Sequence, residues 1–132
     1  MVANTTEIFT GLPTGIAARF TNADGTNPSA TVMSGGVCGA ICNGVICYVD
    51  GAGLYPLWLL IGNNTLAKIP SCPLGVSFNL LKYVDGLPLD GYGNPCLSLA
   101  PGQSLQVKIP STAIISGEAL EATPLGFTYS AP

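Results

Sequence analysis

The chain has 132 residues, 48% of them apolar and only 8% charged, with a formal net charge of −3 and no histidine. That length suits one domain over residues 1–132 and leaves no room for two cores, while four cations are too few to displace the counterions of a nucleic acid. An ordinary soluble domain carries about 25% charged residues, so the shortage of charge predicts an exterior that meets other protein; a plain β-domain with a neutral surface is the alternative.

Thr5 to Thr10 alternates weakly and predicts a first edge strand, or, with the rest of residues 1–10, an N-terminal arm. Gly11 to Gly15 is a turn region. Ile16, Ala18 and Phe20 face one way and Ala17, Arg19 and Thr21 the other, which makes a second strand. Asn22 to Asn27 is a loop closed by Pro28, and Ala30 to Met33 is a third strand stopped by Ser34-Gly35-Gly36. Val37 to Val49 admits two readings. Asn43-Gly44 can turn a hairpin, or Gly44 can mark a bulge in one long strand. The long strand is preferred, because Asp50-Gly51-Ala52-Gly53 already supplies a loop.

Leu54 to Ile61 is apolar on both faces, with Trp58 in its middle, and predicts a central or interface strand. Gly62-Asn63-Asn64 turns into a strand at Leu66 to Ile69, Pro70 to Pro73 breaks it, and Val76 to Tyr83 predicts another. Leu87 to Pro95 is a loop rich in turn residues. Cys96 to Leu99 is a short strand, Pro101-Gly102 turns the chain, and Ser104 to Ile109 alternates strictly as a half-buried strand. The tail predicts weak strands at Ala113 to Ile115 and Ala119 to Ala122, then alternation of Leu125, Phe127 and Tyr129.

No stretch keeps apolar residues at helical spacing over three turns. The expected fold is therefore all-β: an antiparallel β-sandwich, jelly-roll-like, of about nine or ten short strands, with a barrel as the alternative closure.

Every aspartate precedes a glycine (Asp24, Asp50, Asp85 and Asp90), and Asp-Gly is a turn dipeptide. Glu7, Glu118 and Glu121 remain, and nothing in their spacing specifies a glycosidase pair. Without histidine there is no Ser-His-Asp or Cys-His arrangement. Gly91-Tyr92-Gly93 is followed by Asn94-Pro95 rather than by a helix start, so it is no dinucleotide fingerprint. No catalytic residue, cofactor or metal site is expected. A calcium ion cupped by Asp85, Asp90 and Asn94 is the minor alternative to solvated loop groups.

The five cysteines (Cys38, Cys42, Cys47, Cys72 and Cys96) cannot all pair internally. They read as reduced, buried small hydrophobes, and with neither histidine nor a Cys-x-x-Cys pair a zinc site is not expected. Gly25 to Val49 is uncharged but broken by polar residues, so no membrane span is expected. Glu7 sits where the apolar core of a signal peptide belongs. Synthesis in the cytoplasm follows, and Asn4-Thr5-Thr6 and Asn63-Asn64-Thr65 carry no meaning as glycosylation sites without secretion.

Gly86-Leu87-Pro88-Leu89-Asp90-Gly91-Tyr92-Gly93-Asn94-Pro95, followed by Leu97-Ser98-Leu99-Ala100-Pro101-Gly102-Gln103-Ser104-Leu105-Gln106-Val107, resembles a loop and turn of small virion proteins of tailed bacteriophages. Thr14-Gly15-Ile16-Ala17-Ala18 with Phe20-Thr21-Asn22-Ala23-Asp24-Gly25-Thr26 is similar to their first third, and Ser116-Gly117-Glu118 to their closing turn. The sequence departs from them in its cysteines at 38, 42 and 47 and in the apolar run Leu54 to Ile61. The resemblance implies a β-sandwich capsid decoration, or cement, protein on the capsid surface of the virion, made in the host bacterial cytoplasm. It would bind the phage major capsid protein as a homo-oligomer, trimer favoured over dimer. Aromatic residues dominate binding hot spots, so the partner-contact candidates are Tyr92, Tyr55, Trp58 and Tyr129. For Trp58, core packing competes with contact and is slightly favoured. A tail or head-fibre part and a carbohydrate-binding module are the rival readings.

Overall fold

The structure, a computed structural model, describes residues 15–129, so the expected strand at Thr5 to Thr10 and the arm over residues 1–10 lie outside the described residues. Nine strands follow in order: β1 (Ala18–Phe20), β2 (Ser29–Ser34), β3 (Ala40–Asp50), β4 (Leu57–Ile61), β5 (Asn64–Ile69), β6 (Phe78–Asn79), β7 (Leu97–Leu99), β8 (Ser104–Lys108) and β9 (Ala119–Thr128). They form two antiparallel sheets. One runs β1-β9-β3-β6, with β7 also on β3, and the other runs β2-β8-β4-β5.

That order describes a single folded ribbon. β4 and β5 meet across the turn at Gly62-Asn63, then β3 pairs with β6 and β7, β2 with β8, and β1 with β9. Successive ribbon segments fall alternately in the two sheets, so each sheet is completed by strands far apart in sequence.

The period-2 pattern supplies the reason the sheets stack. Leu105 and Val107 on β8, Leu57 and Leu59 on β4, and Cys42, Cys47 and Val49 on β3 point inward. They join Leu120 and Ala122 of β9 in one buried cluster, and no polar side chain is buried with them among the described residues. Burying one such aliphatic side chain contributes about 1.5–3 kcal/mol.

The long reading of Val37 to Val49 holds in part: β3 is one strand whose register against β9 shifts between Cys42 and Gly44, but it begins only at Ala40. At that bulge the Val45 N–H donates to Asn79 Oδ1 at 3.1 Å. The same oxygen accepts from Leu81 N and caps a 3-10 turn over Leu80–Tyr83. This corrects the strand expected over Val76 to Tyr83. Only Phe78 and Asn79 pair with β3, because Asn79 turns the chain and puts both Leu80 and Leu81 into the core.

Asn22–Asp24, expected as loop, is a short 3-10 turn in which Asp24 Oδ2 accepts from Thr21 N at 2.7 Å. Ala113 to Ile115 is not a strand: Ile114 is buried there, and its carbonyl accepts from Asn22 Nδ2 at 2.8 Å. The two tail strands are one, β9. β1 accompanies β9 only as far as Ala122, so Pro124 stands where β3 alone is its neighbour and a missing N–H is tolerated. Gly126 is required at the bulge, where a Cβ would lie 2.1 Å from the Ile41 carbonyl oxygen.

Candidate functional site

At one end of the sandwich three loops are tied together at Tyr55. Its carbonyl accepts from Cys72 N at 2.8 Å. Its hydroxyl accepts from Ile115 N at 3.0 Å and donates to Glu118 Oε1 at 2.7 Å. The same carboxylate oxygen accepts from Gly53 N at 3.0 Å. Tyr55 is 1% exposed, which corrects its place among the contact candidates: an aromatic ring sealed in the core touches no partner. Burial first, and the Glu118 hydrogen bond second, push its phenol up. The Tyr55 hydroxyl, and after it the Gly53 N–H, hold Glu118 below the ordinary carboxylate range. Glu118 had no assigned role in the sequence, since nothing linear links position 118 to positions 53 and 55. Beside this knot Leu54 and Ile115 stand exposed.

The loop between the Leu80–Tyr83 turn and β7 holds Tyr92 out at 93% exposure. Asp90 fixes it. Its Oδ1 accepts from Tyr92 N at 2.8 Å and from Asn94 N at 2.9 Å, while Asp90 N donates to Asn94 O and Gly93 N to Asp90 O. The backbone N–H groups of Asn94 and then Tyr92 lower the Asp90 pKa. That oxygen thus holds the turn together. Among the described residues no three His, Cys, Asp or Glu side chains gather as a metal site. Exposed Leu89 stands beside Tyr92, over a shallow cleft of about 210 Å³ lined by Leu81, Lys82, Val84 and Leu87.

Trp58 is neither core nor fully exposed. It lies half-buried on the outer face of the four-stranded sheet, with Lys68 Nζ 4.5 Å from the centre of its ring. Tyr129 is half-buried and packs edge-on against Phe127 at 6.1 Å, and its N–H donates to Gly39 O. The four candidates are thus not one patch. Tyr48 belongs to the other sheet and Tyr83 to the 3-10 turn. A carbohydrate platform needs several aromatics on one face, and these are dispersed.

The thiols divide into two groups. Cys42, Cys47 and Cys72 are buried, as expected, and all five cysteines are free. Burial pushes Cys42 up to about 11 and Cys72 up to about 12, and raises Cys47 as well. Cys38 and Cys96 are only partly covered, a correction to the expectation that all are buried. No helix among the described residues is long and apolar enough to cross a membrane. Compared with known protein families, curated proteins and solved structures, the chain matches none.

Proposed function

We propose that this chain is a capsid decoration protein of a tailed bacteriophage, attached to the outside of the head as a homo-oligomer, a trimer rather than a dimer. There it bridges major capsid protein subunits and stabilises the mature shell. One observation carries the reading. Eleven large apolar side chains are exposed among the described residues, against four cations and six carboxylates there, Glu7 lying outside. Several of them stand on loops fixed by hydrogen bonds, as Tyr92 and Leu54 do. Rigid apolar projections lose little conformational freedom when they dock, so more of their burial becomes affinity.

The nested strand order also favours a jelly-roll-like sandwich, an architecture that recurs in viral capsid proteins, although fold alone does not assign function. A standard interface buries about 800 Å² per partner, and oligomers multiply modest contacts into firm attachment. Binding to the mature shell alone stabilises that state by mass action. The proposed role is non-enzymatic and without cofactor.

The test is co-sedimentation of the purified protein with expanded and unexpanded heads of the phage whose genome encodes it. The reading predicts saturable binding to expanded heads and raised shell stability. A chain that stays in the supernatant with both, or that labels tails alone, overturns it.

A further inference from the structure

The outer face of the four-stranded sheet has a composition of its own among the described residues. Two rows of side chains cross it in register. The first is Ser29, Lys108, Trp58 and Lys68, and the second is Thr31, Gln106, Leu60 and Thr65. Lys68 and Lys108, two of the chain's four cations, flank its only tryptophan. None of the sheet's four strands carries a carboxylate. The six acids among the described residues lie elsewhere: Asp50 and Glu121 on the other sheet, and Asp24, Asp85, Asp90 and Glu118 in turns. Among the described residues of a chain of net charge −3, this face thus carries cations alone, around a half-exposed indole and Leu60.

From this arrangement we infer that the outer face of the four-stranded sheet docks an acidic protein surface, with Trp58 as its apolar anchor and Lys68 and Lys108 pairing carboxylates on either side. Opposite potentials across an interface select the partner and speed encounter, and a central aromatic ringed by polar groups is the usual form of a hot spot. Two lysines fall short of the several phosphate contacts that hold a nucleic acid. That favours a protein partner, whose apolar side chains also have Trp58 and Leu60 to cover. Only the identity of the partner as a capsid protein rests on the function proposed above. The chemistry of the face does not.

Because Trp58 is the sole tryptophan, its emission reports occupancy of this face directly. Titrating the full chain with poly-L-glutamate at low salt is expected to shift the emission to the blue and to saturate. Lys68→Glu with Lys108→Glu is expected to weaken the response roughly tenfold or more, as is raised salt on the unaltered protein, and Tyr92→Ala is expected to leave it intact. No shift overturns the inference. So does an equal or stronger response to a single-stranded oligonucleotide or to anionic vesicles, or a shift produced by concentrating the protein alone, which would identify a second copy as the occupant. Heads separate this inference from the functional proposal. Binding without any change in Trp58 emission refutes the face and keeps the function, whereas a response to poly-L-glutamate with no affinity for heads does the reverse.

Discussion

Gly53 and Gly91 look alike in the sequence, each in a Gly-x-Gly loop triplet, and neither holds a positive φ. The structure makes them opposites. A methyl group on Gly53 would lie 2.6 Å from the Tyr55 hydroxyl and 2.7 Å from Glu118 Oε1, whereas one on Gly91 meets nothing within 4 Å. Ordinary contact distances are about 3.5 Å, so Gly53→Ala forces its neighbours apart by nearly an ångström. Tyr55 cannot yield, because its ring is buried and its hydroxyl holds Ile115 N and Glu118. Overpacking of this kind costs about 1–3 kcal/mol, offset by about 0.4–1 kcal/mol from the stiffer unfolded chain. A net loss of up to about 2.6 kcal/mol follows for Gly53→Ala, and a gain of about 0.4–1 kcal/mol for Gly91→Ala. Urea denaturation measures both. With a slope of about 1.5 kcal/mol per molar, the Gly53→Ala midpoint falls by up to about 1.7 M while Gly91→Ala moves slightly upward. Adding Tyr55→Phe removes the atom nearest the new methyl, so the double variant loses less than the sum of the two singles. Equal midpoints for Gly53→Ala and Gly91→Ala, or strict additivity with Tyr55→Phe, would refute the knot at Tyr55.

Glu118 and Asp90 both titrate below their ordinary values. A lowered folded pKa means stability that is complete above the unfolded carboxylate pKa and lost as pH falls through the folded one. Denaturation midpoints should therefore decline on the acid side, and Glu118→Gln should flatten part of that decline; an unchanged acid limb would contradict its hydrogen bonds. A thiol reagent should modify Cys38 and Cys96 in the native protein and Cys42, Cys47 and Cys72 only on unfolding, since buried thiols with raised pKa carry almost no thiolate. Five fast sites would disprove the burial. Tyr92→Ala should leave the urea midpoint within about 0.5 kcal/mol of wild type yet weaken attachment to heads, read by co-sedimentation, because its exposed ring holds nothing inside the domain.

Where local chemistry decided the structure, the sequence was readable. Strict alternation from Ser104 to Ile109 became β8 with Leu105 and Val107 buried, and Ile109 buried just beyond its end, and Pro101-Gly102 became a turn with Gly102 at φ 79°. Gly44 marked the bulge in β3, where the register against β9 shifts between Cys42 and Gly44. Where distant groups decided, the sequence was silent. Asn79 ends β6 because it serves a bulge 34 positions away. Tyr55 became core because, from across the fold, Glu118 accepts from its hydroxyl and the Ile115 N–H donates to it. β9 looked broken at Pro124 and Gly126, yet it continues because the neighbour on one side ends and β3 comes close enough to need a glycine. The cationic face around Trp58 was hidden for the same reason: Lys68 and Lys108 are 40 positions apart and meet only through register with β4.

Electron cryo-microscopy of particles grown with and without this chain tests the central claim most directly, that the sparsely charged exterior exists to hold a shell. The account predicts discrete density on the outer surface of the mature head, bridging capsid subunits and vanishing when the chain is deleted. Heads identical in both preparations, or a difference confined to the tail, would contradict it.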